Sequence, residues 1–311
     1  MVVPVRVATA LREDLDVRLK ALGTVTPINT VTVRSRVDGE LVRVAFQEGQ
    51  FVNAGDLLAE IDPAPYRIRV AHAEGQQAQN LAELENARIE LERYREKGYV
   101  SAQDLSNLEA RVRQYEARRQ TDRATVDEAR LQLQYTRIVA PVSGRVGLRS
   151  VDVGNLVSAN SGDGLVTITQ MAPISVLFTI PENELPAVID AVRADPDLFV
   201  EAWDREERQV LATGTLASLD NRIDPATGTL RLRAVFDNDD RRLFPNQFVN
   251  VQLRVRSVNT VVIPNAAIQF GARGPYVFII DEDNQAQARD ITTGAADGDR
   301  VAVIHGVEAG Q

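Results

Sequence analysis

The sequence has no cysteine, and only two histidines and two lysines occur among its 311 residues. Without cysteine there can be no disulfide and no thiol chemistry. The two histidines, His72 and His305, have no nucleophile or ligand partner at a recognisable spacing, and no phosphate-binding glycine loop occurs. We therefore expect a protein that is not an enzyme and that binds neither a cofactor nor a metal.

Long apolar runs and net positive charge are also missing. No stretch of about 18 consecutive apolar residues could cross a membrane as a helix. The net charge of −9 argues against binding to the phosphate backbone of a nucleic acid. The opening stretch "MVVPVRVATALRED" lacks the charged and apolar regions of a signal peptide. The sequence alone therefore predicts either a cytosolic protein or one whose export segment lies outside these 311 residues.

Residues 63–136 differ in composition from their flanks. Residues 66–135 carry twelve acidic and twelve basic side chains and no proline. Apolar residues recur there at steps of three and four. In the second half they are Leu105, Leu108, Val112, Tyr115, Val126, Ala129 and Leu133, interrupted by Arg119 and Asp122; in the first half they are Val70, Ala73, Leu81, Leu84 and Leu91, with Gln77 and Arg88 between them. This spacing predicts two long helices packed as an antiparallel coiled-coil hairpin.

The segment "RYREKGYVSAQDL", residues 93–105, joins the two predicted helices. Gly98 suits the positive φ that often follows the last turn of a helix. Ser101, with Asp104 three residues later, has the pattern of a capping box, and Val100 with Leu105 could form a hydrophobic staple. The simplest interpretation of Ser101 is a helix cap, which leaves a contact role open.

Two similar β-rich stretches flank the predicted hairpin. They are "SRVDGELVRVAFQEGQFVNAGDLLAEID" and "APVSGRVGLRSVDVGNLVSANSGDGLVTIT", and each contains two small-residue turns followed by an apolar strand. This repetition predicts two halves that pack on each other as a small sandwich. Residues 171–257 alternate as in "LRLRAVFD", which predicts about six strands in a barrel or sandwich, with one helical insert at 181–194. Further strands follow residue 258, and we interpret "DEDN" at 281–284 as a hairpin turn and not a calcium loop.

The two half-motifs resemble the halves of a lipoyl carrier domain. Carrier domains of that kind present a lysine that is modified, and no lysine occurs here between Lys20 and Lys97, so a swinging-arm carrier is excluded. Together with "SLDNRIDPATGTLRLRA", "LFPNQFVNV" and "VVIPNAAIQ", the half-motifs and the inserted hairpin resemble the periplasmic adaptors, or membrane fusion proteins, of tripartite efflux pumps. Within that family the sequence is most similar to the MdtA type, which serves resistance-nodulation-division (RND) transporters.

The resemblance implies a mainly β protein with an inserted long antiparallel α-helical coiled-coil hairpin, arranged as an elongated multidomain chain. It implies four domains. They are a membrane-proximal β domain (residues 1–24 and 258–311), a β-barrel (25–32 and 171–257), a split lipoyl-like sandwich (33–62 and 137–170) and the α-helical hairpin (63–136).

The resemblance also implies function, partners and location. We expect a periplasmic adaptor, associated with the inner membrane, that links a proton-driven RND transporter to a TolC-like outer-membrane channel and supports multidrug efflux and antibiotic resistance. It would self-associate as a trimer or hexamer ring and would not bind nucleic acid. An adaptor for an ABC-type or other exporter, and a non-transport coiled-coil scaffold, stay open as alternatives.

In this family the hairpin tip meets the channel through an arginine, a leucine four residues later and a serine seven beyond that. Here Arg93 and Ser101 are retained eight residues apart, and Lys97 stands where the leucine is expected. The resemblance therefore implies a channel contact formed by the hairpin tip. Its predicted residues are Arg93, Lys97, Gly98, Tyr99, Val100 and Ser101.

Overall fold

A computed structural model describes residues 5–98, 101–159, 162, 164–280 and 285–311, without the Lys97 side chain. The chain divides into two compact units, Asn29–Gln170 and Met1–Ile28 with Met171–Gln311. Among the described helices, none combines the length and the apolar character needed to cross a membrane.

The described residues form three α-helices and nineteen strands. The helices are α1 (Ala64–Lys97), α2 (Ala102–Tyr135) and α3 (Leu185–Ala194). The strands are β1 (Leu11–Pro27), β2 (Thr30–Val33), β3 (Gly39–Val44), β4 (Phe51–Val52), β5 (Leu57–Ile61), β6 (Arg137–Val139), β7 (Gly144–Val146), β8 (Leu156–Val157), β9 (Val166–Thr169), β10 (Ile174–Pro181), β11 (Phe199–Trp203), β12 (Val210–Asp224), β13 (Thr229–Phe236), β14 (Phe248–Pro264), β15 (Gln269–Gly271), β16 (Gly274–Ile280), β17 (Ala286–Asp290), β18 (Thr292–Asp297) and β19 (Arg300–His305).

The unit Asn29–Gln170 contains two four-stranded sheets, ordered β2-β9-β7-β4 and β6-β5-β3-β8. Each sheet takes two strands from before the hairpin and two from after it, so the half-motifs interleave rather than stacking as separate layers. Leu41, Ile61 and Ile168 are fully buried between the sheets. A Cβ on Gly144 would lie 2.5 Å from the carbonyl oxygen of Thr169, so this turn requires a residue without a side chain.

The helical hairpin is inserted between β5 and β6, which are neighbouring strands of one sheet. Glu60 of β5 pairs with Arg137 of β6, and the Ile61 amide donates to the Thr136 carbonyl at 2.9 Å. Tyr66 near the start of α1 is buried in the sandwich core and donates its hydroxyl to the Asp38 carbonyl at 2.7 Å. The base of the hairpin is therefore fixed in the sandwich at both of its ends.

The second unit contains a closed antiparallel barrel. The strand order β1-β10-β13-β12-β11-β14 is completed by pairing of β14 with β1, so six strands form the cylinder. Alternate residues such as Ile174, Val176 and Phe178 of β10 point into its core. Val188 of α3 is also fully buried in that core, which places the predicted helical insert against the barrel.

Strands β1 and β14 continue beyond the barrel as a long two-stranded ribbon. Their pairing extends from Thr24 with Phe248 to Leu11 with Val262, and β19 and β18 join it there. A separate three-stranded sheet, β15-β16-β17, contributes Val277 to a small hydrophobic cluster that also includes Val261 and Val303. The segment 281–284, where we predict a hairpin turn, lies outside the described residues.

One predicted domain limit differs from the observed strand pairing. We assign residues 25–32 to the barrel from the sequence, but Thr30–Val33 forms β2, which pairs with β9 in the sandwich. Leu19 and Ala21, which precede that range, pack against the barrel core instead. The reason is that β1 is a single strand of 17 residues that serves two regions, with no turn to mark the change.

Candidate contact site at the hairpin tip

The two arms of the hairpin hold the tip through a narrow apolar seam. Leu84, Ala87 and Leu91 of α1 and Val112 of α2 are buried, and Leu105, Leu108 and Tyr115 pack partly buried against them. Both helices have 34 residues, so each arm is about 50 Å long. The predicted antiparallel hairpin is confirmed.

Ion pairs join the arms along both sides of this seam. Arg88 contacts Glu116 at 2.6 Å, Arg95 contacts Glu109 at 2.8 Å, and Arg130 contacts Glu74 at 2.6 Å. Arg111 and Glu90 pair across the opposite flank at 3.4 Å. Each pair is largely exposed and contributes little alone. As a series, the pairs fix which residues of the two arms stand at the same level.

The seam of α1 differs from the predicted one. Leu81 and Arg88, which the spacing places in the seam, are exposed, whereas Ala87 is buried. Asn80 is also buried, at 3% exposure, and its Nδ2 donates to Asp122 Oδ2 at 2.7 Å. A search for apolar periodicity misses Asn80 because the residue is polar. The signal that could reveal it is the polar break at Asp122 in the facing helix.

Arg119 and Asp122, the two polar interruptions of the α2 stripe, have different environments. Asp122 is half-buried and accepts the Asn80 hydrogen bond within the same hairpin. One oxygen of the Asp122 carboxylate is therefore engaged within its own hairpin. Arg119 is exposed and forms no ion pair among the described residues.

The turn at the tip is built as the sequence predicts on each side of residues 99 and 100. Gly98 follows α1 with φ of 70°, the left-handed conformation that glycine adopts without steric cost. Ser101 caps α2, because the Asp104 amide donates to Ser101 Oγ at 3.1 Å and Ser101 Oγ donates to Asp104 Oδ2 at 2.6 Å. The Ser101 hydroxyl is therefore engaged by its own helix.

The structure places the predicted contact residues as follows. Arg93 is exposed on the last turns of α1, and Gly98 and Ser101 are exposed at the turn. Tyr99, Val100 and the Lys97 side chain lie outside the described atoms, as does the predicted staple of Val100 with Leu105. The channel contact itself stays a prediction.

The described residues contain no group of three or more histidine and acidic side chains arranged to hold a metal ion. His72, exposed on α1, and His305, exposed at the end of β19, lie in different units.

Comparison with family models accounts for nearly all of the chain. Residues 29–169 match the barrel-sandwich hybrid domain of RND membrane fusion proteins, 173–257 match their β-barrel domain, and 259–311 match their C-terminal permuted SH3 domain. The chain belongs to the RND membrane fusion protein family. The resemblance inferred from the half-motifs is thus confirmed.

Curated relatives of this membrane fusion protein are similar over almost its whole length. It is 48% identical to "Multidrug resistance protein MdtA" of Xenorhabdus bovienii, with 99% of this chain and 75% of the relative aligned. It is 47% identical to the protein of the same name from Photorhabdus laumondii, with 99% of this chain and 78% of the relative aligned. These matches support the MdtA type.

Solved structures support the fold. A MacA–MexA chimera containing the Pseudomonas aeruginosa MexA α-hairpin aligns with a TM-score of 0.60 at 23% identity, covering 96% of both chains. MacA from Actinobacillus actinomycetemcomitans aligns with a TM-score of 0.55 at 18% identity, covering 98% of both chains. The predicted combination of β domains with a long helical hairpin is therefore confirmed.

Proposed function

We propose that this membrane fusion protein is the periplasmic adaptor of a tripartite multidrug efflux system. It links a proton-driven RND transporter in the inner membrane to a TolC-like channel in the outer membrane. The observation that carries the proposal is the match to MdtA proteins over nearly the whole chain, at 47–48% identity. The role is mechanical coupling, in which the chain joins two partners and catalyses no reaction.

The geometry of the hairpin supports one part of this role, the reach toward a distant partner. An arm of about 50 Å that is fixed at its base by strand pairing can present its tip to a distant partner without bending. We propose Arg93 to Ser101 as the channel contact. Because Ser101 Oγ is engaged by Asp104, the contact would use its exposed surface and the adjoining backbone rather than a free hydroxyl.

The four-domain division is part of the same proposal, with the barrel taking its first strand from β1 up to Pro27. Several copies would form a trimer or hexamer ring around a common axis, located in the periplasm at the inner membrane. No observation favours an ABC-type exporter or a non-transport scaffold over this function.

Photo-crosslinking in cells tests the contact. A photoreactive residue is placed in turn at Arg93, at Ser101 and, as a control exposed midway along α2, at Gln114. We expect crosslinks to an outer-membrane channel from the two tip positions and none from position 114. Tip crosslinks only between copies of this chain, with drug tolerance unchanged after deletion of the gene, would contradict the adaptor function.

A further inference from the structure

Each arm of the hairpin carries a second stripe on the side facing away from the seam. The α1 outer stripe is Ala78, Ala82, Glu85, Ile89, Glu92 and Glu96; the α2 outer stripe is Ala110, Arg113, Ala117, Gln120 and Ala124. Their members recur at steps of three and four, so each set lies on one face of its helix. All of them are exposed, and Ile89 keeps 49% of its surface in solvent.

The two outer stripes have opposite charge. Glu85, Glu92 and Glu96 give the α1 outer stripe three carboxylates and no cation, whereas Arg113 gives the α2 outer stripe one cation and no carboxylate. Among the described residues, none of these four forms an ion pair. Several charges nearer the seam, such as Arg88 with Glu116 and Arg95 with Glu109, are paired within the hairpin, whereas the charges of the outer stripes are open to another molecule.

The direction of the stripes favours a curved array of hairpins. On both helices each outer-stripe residue comes either one or two residues after a seam residue, in alternation. One residue turns the helix by about 100° and two by about 200°, so the outer stripe lies on average about 150° around the helix from the seam. The rotation is toward the same flank in both arms, the flank of the Arg88–Glu116 and Arg95–Glu109 pairs. Helices joined through faces about 150° apart close into a ring of about twelve helices, or six hairpins.

Contacts between the two arms show which residues of α1 and α2 stand at the same height along the hairpin axis. Asn80 contacts Asp122, so Ile89, nine residues farther along α1, stands level with Arg113, nine residues back along α2. Copies related by rotation about an axis parallel to the hairpin stand at equal height. In such a ring Arg113 of one copy lies level with Ile89 of the next, with Glu85 about 6 Å to one side along the helix and Glu92 about 4.5 Å to the other.

We propose that the α1 outer stripe of one copy packs against the α2 outer stripe of a second copy, with Arg113 seated between Glu85 and Glu92 and its aliphatic stem over Ile89. The alanines at 110 and 117 stand level with those glutamates and leave room for them. The interface is head-to-tail, because each copy uses one stripe on each side. This inference rests on the proposed function, which supplies the ring, and adds the surfaces and register that build it.

Engineered cysteines test the register in cells that express the full-length adaptor with its pump. The sequence given has no cysteine, so any disulfide that forms within these 311 residues must involve the introduced thiols. Ala78→Cys with Ala124→Cys places two thiols at the same level on neighbouring copies. Ala78→Cys with Ala117→Cys, the matched control, offsets them by seven residues, or about 10 Å. We expect a disulfide ladder of dimers and larger species from the first pair and at least tenfold less from the second.

Charge reversal tests the ion pairs on the background of the first cysteine pair. Arg113→Glu is expected to reduce the ladder by on the order of tenfold, since a favourable contact becomes repulsion from two carboxylates. Adding Glu85→Arg and Glu92→Arg should restore it. Arg118→Glu makes the same charge change on the other flank of α2 and should leave the ladder unchanged.

The outcomes separate this interface from the adaptor function. Equal ladders from both cysteine pairs, equal effects of the 113 and 118 reversals, or disulfides only with another protein would overturn the proposed interface. If the tip still crosslinks to the channel in those cases, the adaptor function stands. A normal ladder without any channel crosslink would leave the interface intact and count against the adaptor function.

Discussion

Arg18 of β1 lies among carboxylates from three strands, one of them Asp16 of its own strand at 3.4 Å. Its guanidinium contacts Glu201 at 2.8 Å and Asp297 at 3.6 Å, and both carboxylates are less than one-fifth exposed. The Trp203 indole also donates to Glu201 Oε2 at 3.0 Å. Because β11 belongs to the barrel and β18 to the sheet extension beyond it, this one cation neutralises acidic groups from both regions. Removing the cation would leave two partly buried carboxylates without a counter-charge.

We predict that Arg18→Gln lowers the free energy of unfolding by about 2 kcal/mol, since Glu201 and Asp297 lose their partner while still partly desolvated. Lys20→Gln is the matched control, two residues along the same strand. Lys20 pairs with Glu207 at 2.5 Å, but the two side chains are 62% and 38% exposed, so the loss should be under about 1 kcal/mol. Chemical denaturation of both variants measures the difference, and equal losses would show that burial does not decide the effect.

Asp38 is a second residue whose role can be tested alone. Its Oδ1 accepts the Ala159 amide at 2.8 Å and the Ser158 hydroxyl at 2.9 Å. The Ala159 amide first, and then the Ser158 hydroxyl, lower the pKa of the Asp38 carboxyl below its ordinary value of 3.8. The folded state thus favours the ionised carboxylate. Its stabilising contribution is present above the ordinary pKa and is lost as the pH falls through the lower folded value.

We predict that Asp38→Asn, which keeps an oxygen acceptor but cannot ionise, is less stable than the wild type at neutral pH. The difference should shrink as the pH is lowered below about 4, because the carboxyl of the unfolded wild type takes up a proton there and that of the folded protein follows at its lower pKa. Unfolding midpoints of the two proteins across pH 2–7 measure this, and a constant difference over that range would contradict it.

At the scale of a single element, the hairpin combines an apolar seam with one polar layer. The shorter hydrogen bond of Asn80 is to Asp122, at 2.7 Å. Its second one, which Asn80 Oδ1 accepts from Gln76 Nε2, is longer, at 3.3 Å. A lone polar pair in such a seam fixes the register of two helices at a cost in stability. A slip of the helices would separate Asn80 from Asp122 and leave the buried amide without that partner.

We predict that Asp122→Ala costs about 2 kcal/mol, because it leaves buried Asn80 without its strongest partner. The double change Asn80→Leu with Asp122→Leu should recover or exceed wild-type stability, since no buried polar group is then left unpaired. Helix unfolding followed by circular dichroism measures both. Asp127→Ala, which removes only an exposed contact to Arg123 at 3.9 Å, is the control and should change little. A double variant less stable than Asp122→Ala would contradict the argument.

At the scale of the whole molecule, the hairpin is an insertion that the sandwich does not need for its own sheets. Its ends leave and enter paired strands, β5 and β6. Only its base, through Tyr66, Leu133 and Tyr135, contributes to the sandwich core. The seam beyond the base has a separate hydrophobic cluster.

We predict that replacing residues 70–130 by a short glycine-rich turn leaves the β domains folded but abolishes drug tolerance. The shortened protein should retain its β-sheet circular dichroism and unfold cooperatively, because Tyr66, Leu133 and Tyr135 stay in place. In cells it should give no channel crosslink. Retained drug tolerance would show that the hairpin is dispensable, whereas aggregation of the purified protein would show that the sandwich depends on it.

The sequence by itself determined the features that depend on neighbouring residues. The capping of α2 by Ser101 and the left-handed Gly98 follow from chemistry within a few positions, and the structure has both. The two long helices, the paired half-motifs and the barrel strands follow from periodicity and turn residues. They repeat over enough residues to be visible without a partner.

Only the tertiary structure decided which distant residues meet. Asn80 occupies the α1 seam because Asp122, 42 residues away, satisfies it there, and Leu81 turns outward as a consequence. Arg18 meets Glu201 across 183 residues, and β1 divides between two regions without a turn to mark the change. Local pattern cannot encode these choices. A polar residue is stable inside or outside according to whether packing brings it a partner.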